Sequence, residues 1–281
     1  MVAPTLSPVL PLLDGNSIPQ LGLGVYKVSD ADAATAIGHA LEVGYRHVDT
    51  ASLYENEAAV GAAIRSSDVP RGELFVTTKV GNGDHGYDAA RRAFDVSLGK
   101  LGLDYVDLYL IHWPVPSQDL YVETWRALQA IKASGRARSI GVSNFATHHI
   151  DRLIADGGEL PVLNQVELHP WLPQADLRAY DAEHGILTEA WSPLARGRIL
   201  GDPSTETTVL DDLAEKHGRS PAQIVIRWHV QLGNVVIPKS VTPSRIEENF
   251  AVFDFELDDD DLAAIATLET GVRTGRDPDD D

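Results

Sequence analysis

The chain has 281 residues, 43% of them hydrophobic, no cysteine, and a formal net charge of −19. That length holds one barrel-sized domain or two smaller ones, and the apolar fraction is too high for a disordered chain. The missing cysteines exclude disulfides, thiolate nucleophiles and cysteine-ligated metals, and so acidic a surface repels phosphate backbones, which excludes nucleic acid as a general partner.

Residues 1–8 carry no basic region leading into a long apolar stretch, and no window approaches the roughly 18 apolar residues of a membrane span. A cytoplasmic protein without a membrane partner is expected. Residues 8–13, the turn Asp14-Gly15-Asn16 and residues 18–21 read as a β-hairpin that plugs the floor of the fold. A first strand is expected over 21–26, where Gly22 and Gly24 permit close backbone approach. Further apolar runs fall at 45–48, 74–77, 106–111, 139–142, 162–166, 186–190 and 235–237. Between them, amphipathic stretches at 31–42, 57–65, 89–101, 121–132, 148–155, 177–183, 209–216, 221–232 and 245–250 predict helices. Ser220-Pro221 opens one helix, and Gly135 and Gly233 follow the ends of others. Strict alternation over this length predicts an α/β fold, a (β/α)8 TIM barrel with an N-terminal hairpin and extra C-terminal helices, formed by residues 1–281 as a single domain.

What ends each apolar run carries the chemistry. Asp49, Lys79, His112, Ser143-Asn144, Gln165 and Glu167, Trp191-Ser192 and Lys239-Ser240 each follow or finish a strand. In a parallel barrel these positions converge on the C-terminal rim, where active sites are built. Taken alone, Asp49 could cap a helix, Lys79 could sit at the surface, His112 could be a core histidine and Tyr54 a packed aromatic. Together they are hard to explain as packing, because burying so many titratable groups costs several kcal/mol unless they pair. The histidines show no ligand spacing, so no metal is expected. His148-His149 read as surface residues, and the acidic run 258–261 and the Asp-rich tail after Arg276 as solvated ends. Lys239, Ser240 and Arg245, just before or within the first turn of a short helix after the last strand, read as the local cationic pocket that any phosphate-bearing ligand of so acidic a protein would need.

The segment Gly44-Tyr45-Arg46-His47-Val48-Asp49-Thr50-Ala51, followed by Tyr54 and Asn56-Glu57, resembles the first signature of the aldo-keto reductases. Leu110-Ile111-His112-Trp113-Pro114, Ile140-Gly141-Val142-Ser143-Asn144-Phe145 and Val236-Ile237-Pro238-Lys239-Ser240 resemble further stretches, and the likeness spans residues 10–268. Asn164-Gln165-Val166-Glu167-Leu168-His169-Pro170 and Glu189-Ala190-Trp191-Ser192-Pro193-Leu194 are most similar to the bacterial 2,5-diketo-gluconate reductases. The resemblance implies NADPH-dependent reduction of aldehydes and ketones, with diketo sugar acids or small dicarbonyls as substrates, by a monomer. Tyr54 would donate the proton. Lys79, oriented by Asp49, would lower the phenol below its usual value near 10, and His112 would polarise the carbonyl. Trp191 would stack on the nicotinamide, and Ser143, Asn144 and Gln165 would bond its carboxamide. Ser192, Leu194, Val241, Glu248 and Asn249 would make further cofactor contacts, while Lys239, Ser240 and Arg245 would read the 2′-phosphate. Tyr26, His112 and Trp113 would wall the substrate pocket. Gly81 stands where many relatives carry tryptophan, and Val25 where a polar residue is common. Two other readings remain open: a nucleotide-binding sensor on the same fold, and a barrel hydrolase or isomerase pairing Glu167 with Asp49.

Overall fold

The computed structural model describes residues 6–200 and 208–280. The N-terminal stretch 1–5 and Asp281 of the acidic tail lie outside the described residues. The hairpin forms as expected. β1 (Val9–Pro11) pairs antiparallel with β2 (Ser17–Pro19), with Leu10 opposite Ile18. Gly15 takes the positive φ of 88° that its tight turn demands.

Strands and helices then alternate: β3 (Leu23–Gly24), α1 (Asp30–Val43), β4 (His47–Asp49), α2 (Glu57–Ser66), β5 (Phe75–Val80) and α3 (Tyr87–Leu101). β6 (Val106–Ile111), α4 (Tyr121–Ala133), β7 (Ala137–Ser143), α5 (Thr147–Asp156), β8 (Leu163–Glu167), α6 (Ala175–Glu183) and β9 (Leu187–Trp191) follow. The described chain ends with α7 (Thr208–His217), α8 (Pro221–Gln231), β10 (Val235–Val236), α9 (Pro243–Phe250) and α10 (Asp259–Ala266). Strands β3 to β10 are parallel and hydrogen-bonded in chain order. A bridge between Leu21 and Val236 brings the two edges together, with Gly22 N donating to Val236 O at 2.9 Å and Gly24 N to Pro238 O at 3.2 Å. The first strand, Leu23–Gly24, is shorter than the expected 21–26: Leu21 pairs only as an isolated bridge, and the chain turns at Lys27 (φ 56°) just beyond the expected end. At this seam a Cβ on Gly22 would stand 2.5 Å from His47 Nδ1, and one on Gly24 2.9 Å from Ile237 O. Only glycine lets the seam close.

Two apolar layers hold the barrel. The larger lies between the sheet and the surrounding helices. The smaller is inside the strands, where Leu12 and Ile18 of the hairpin meet Phe75, Leu108, Leu110, Leu163 and Val235. The hairpin therefore seals the floor, and the polar strand ends are left for the opposite rim.

Ser220 caps α8 in a reciprocal box with Gln223, ahead of Pro221 in the first turn. The run 258–261 corrects an expectation. It is a capping box on α10, and buried Asp261 accepts from Lys216 Nζ and His217 Nε2, each at 2.7 Å. α10 folds back on α7, which gives this aspartate the Lys216 ammonium and the His217 imidazole as partners instead of solvent. His149 is also not a surface residue: it is 2% exposed, its Nδ1 accepting from Ala146 N at 3.1 Å, whereas His148 is exposed. Among the described residues, no helix is long and apolar enough to cross a membrane.

Candidate active site

Asp49 ends β4 and Lys79 lies near the end of the neighbouring β5, both pointing into the barrel. Lys79 Nζ donates to both Asp49 oxygens, at 2.7 and 2.8 Å, and to Thr50 O at 3.0 Å. Neither side chain is more than 2% exposed. Tyr54 follows on the single 3-10 turn Ser52–Tyr54, which closes on Glu55 at φ 59°. Asn56 pins this loop, donating to Val25 O and Val28 O while accepting from Thr50 Oγ1. The Tyr54 ring packs 5.0 Å from Tyr26 and edge-on to His112 at 5.7 Å, and Lys79 Nζ lies 5.2 Å from its centroid. Acid, amine, phenol and imidazole thus meet at one end of the barrel.

Burial alone would lower the Lys79 amine, but the charges of Asp49, Tyr54 and Glu189 and the bond to Asp49 outweigh it and hold it above its ordinary value. Burial, reinforced by the charges of Lys79 and His85, drives His112 well below the usual imidazole range, so it is neutral at physiological pH. The phenol overturns an expectation. Burial pushes Tyr54 up to about 12; Lys79 opposes this by charge and hydrogen bonding, and the Asp49 charge works against Lys79. The ammonium moderates the rise without reversing it.

The group opens onto a cleft of about 860 Å³, within the range of ordinary ligand sites. Asp49, Tyr54, His112, Tyr26 and Trp113 line one end, and every residue expected to touch the cofactor lines the remainder. Lys79 stands behind, with no exposed surface. Gly81, where an aromatic wall was expected to be missing, is not in the lining; Leu53 and Trp191 serve with Tyr26 and Trp113. The polar side chains expected at the cofactor hold one another. Trp191 Nε1 donates to Asn144 Oδ1 at 2.8 Å, and Asn144 Nδ2 to His112 O at 2.9 Å. Ser143 Oγ donates to Gln165 O at 2.8 Å, and Gln165 Nε2 to Asp49 Oδ2 at 2.8 Å. Asn144 and Ser192 take positive φ, 62° and 49°, which turns the chain sharply at the ends of β7 and β9.

At the far end, Lys239 and Arg245 are exposed and have no carboxylate partner among the described residues, beside buried Ser240. Two cations without a carboxylate partner among the described residues, in a chain of net charge −19, fit a phosphate-bearing dinucleotide. Glu248 instead accepts from Ser220 Oγ, tying α9 to the start of α8. Lys27 and Arg196 also line the cleft. The sequence reading missed both, although the basic pair Arg196 and Arg198 flanking Gly197 was a usable signal.

Glu167 does not pair with Asp49. Its buried carboxylate accepts from His169 Nε2 at 3.0 Å, Thr274 N at 2.6 Å, Thr274 Oγ1 at 2.5 Å and Gly275 N at 2.9 Å. The C-terminal tail is thereby strapped across the rim, with Gly275 against the Trp191 ring and Arg276 5.5 Å over Trp113. Burial raises the Glu167 carboxyl, but these four donors outweigh it and bring it down to about 2. A depressed carboxyl contributes stability above its unfolded value and loses it as pH falls through the folded one. Glu167→Gln is therefore expected to unfold more easily by on the order of 2–3 kcal/mol at neutral pH. Urea titrations should show the gap to the native chain shrinking from about pH 4.5 toward pH 2.

The Aldo/keto reductase family matches residues 19–270. An aldo-keto reductase of Mycolicibacterium smegmatis is 55% identical over 97% of this chain and 98% of its own length. Methylglyoxal reductase DkgA of Escherichia coli K12 is 55% identical over 96% of this chain and 97% of its own. Among solved structures, the aldo/keto reductase of Brucella melitensis superposes with a TM-score of 0.88 at 54% identity, covering 94% of this chain and 100% of that one. A variant of Gox0644 in complex with NADPH does so at 0.91 and 46%, covering 98% of each chain. Barrel, rim geometry and these likenesses agree: the chain belongs to the aldo/keto reductase family.

Proposed function

We propose that the protein reduces aldehydes and ketones to alcohols with NADPH, Tyr54 being the proton donor and small dicarbonyls of the methylglyoxal type the substrates. The observation that carries this reading is the buried Lys79–Asp49 pair beneath Tyr54, with neutral His112 on the same cleft wall. When bound, NADPH supplies the hydride. The protein's own groups handle the oxygen. His112 donates an N–H to the carbonyl and polarises it, and Tyr54 passes its proton to that oxygen as negative charge develops there. The phenolate left behind faces the Lys79 ammonium, which Asp49 holds in place.

Trp191, Ser143, Asn144 and Gln165 would hold the nicotinamide end, and Ser192, Leu194, Val241, Glu248 and Asn249 the length of the cofactor beyond it. Lys239, Ser240 and Arg245 would take the 2′-phosphate, the guanidinium by two parallel bonds. Tyr26, Leu53, Trp113 and Trp191 leave an aromatic mouth suited to small carbonyl compounds, in keeping with the methylglyoxal reductases among the relatives. Residues 1–281 act as one catalytic domain in a cytoplasmic monomer; the tail reaches its own chain's Glu167, so no second copy is needed to complete the rim.

Loss of NADPH absorbance with methylglyoxal and a panel of aldehydes tests the reading; no turnover with any of them would refute it. In the same assay series, Arg245→Ala is expected to weaken NADPH binding by about 2 kcal/mol, the size of a charged hydrogen bond, and to leave NADH binding unchanged. Equal losses for both cofactors would show that Arg245 does not read the 2′-phosphate.

A further inference from the structure

Beneath the rim lies a second carboxyl that the proposed reaction does not use. Glu189, on β9, is fully buried and directly opposite Gln165 on β8. Gln165 Nε2 donates to Glu189 Oε2 at 2.7 Å and to Asp49 Oδ2 at 2.8 Å, so one amide nitrogen bridges two carboxyls. The amide cannot be turned round, because its oxygen would then face Asp49 Oδ2, which the Lys79 ammonium holds as an acceptor. Both hydrogens are committed inward. Gln165 Oε1 accepts nothing from a described residue and belongs to a side chain that lines the cleft.

We propose that Glu189 is a positioning residue: by taking one hydrogen of the Gln165 amide it fixes that side chain between β9 and Asp49, and so presents Gln165 Oε1 to the nicotinamide end of the cleft. This rests on the function proposed above. Removing the acceptor orphans a buried N–H and frees the amide to rotate, which would turn a donor toward the cleft where an acceptor stands. Charge supports the arrangement. The groups facing Glu189 are Asp49 and His47 on β4 and Lys79 on β5, while β8 contributes the Gln165 amide and the paired position on β10 is Val235. Lys79 is already balanced by Asp49, and His47 Nδ1 lies 3.8 Å away on an imidazole that burial drives down to about 3. Among the described residues no unpaired cation remains for Glu189. Burial first and the Asp49 charge second push its carboxyl up to about 8, so it keeps its proton at neutral pH and the interior stays neutral.

The test compares Glu189→Gln and Glu189→Leu with the native protein in NADPH affinity by fluorescence titration, in kcat, and in the pH profile of kcat. The Gln variant retains an acceptor of the same length, so it should keep affinity and kcat at pH 7 and lose an ionisation near pH 8. The Leu variant should bind NADPH and turn over about tenfold less well while unfolding as a single transition. A Leu variant with native affinity and kcat, or a Gln variant as impaired as the Leu variant, would overturn the assignment. If the Leu variant does not fold, the Gln variant decides alone: failing to keep native affinity at pH 7, or keeping the native ionisation near pH 8, sinks it. Absence of any carbonyl reduction by the native protein would refute the proposed function instead, which separates the two failures.

Discussion

Tyr54→Phe is expected to lower kcat for carbonyl reduction by about 10²- to 10⁴-fold, the range a positioned general acid contributes. NADPH affinity should be untouched. The substitution removes one oxygen and keeps the ring that packs on Tyr26 and His112, so the wall of the cleft survives. The phenol's position near 12 makes the prediction sharper: across the neutral range Tyr54 is protonated and ready to donate, and the difficulty lies in stabilising the anion it leaves. In the proposed mechanism that task falls to Lys79, at 5.2 Å from the ring centroid, helped by polarisation from His112. Stopped-flow measurement of one turnover isolates the loss in the chemical step from product release. A Phe variant that reduces aldehydes at the native rate would remove Tyr54 from the reaction.

Much of this site was legible because a closed parallel sheet converts spacing into position. Asp49, Lys79, His112 and Gln165 each end or closely follow a buried apolar run, and the barrel brings such ends together whatever lies between them. Other features depend on contacts that no periodicity encodes. Glu189 sits within an apolar run at the inward position paired with Gln165, and a lone charge inside a buried strand was the signal that went unread. The roles of Glu167 and Asp261 depend on where later segments return: the strap places Thr274 on Glu167, and α10 lays Asp261 on α7. Acidic composition predicts solvation for such residues and is wrong wherever donors arrive from far along the chain. The sign of the Tyr54 shift failed for a related reason, since a cation's pull was foreseen but the opposing burial and Asp49 charge depend on depth.

The second large effect concerns the ion pair itself. Lys79→Met is expected to destabilise the fold by about 3–5 kcal/mol, because it leaves a buried carboxylate without its counter-ion. Asp49 would retain only the Gln165 amide, having lost two bonds from Lys79. Activity should fall as well, since burial would then act on Tyr54 unopposed and the phenolate would face an unbalanced negative charge. Stability and catalysis can be separated by adding Asp49→Asn to Lys79→Met. The double variant removes both charges, so urea denaturation should recover much of the lost stability, whereas kcat should not recover, because no ammonium faces the phenol. If the single variant were as stable as the native protein, the pair would not be the buried neutral unit its geometry describes. If the double variant regained activity, the cation would have no part in stabilising the Tyr54 anion.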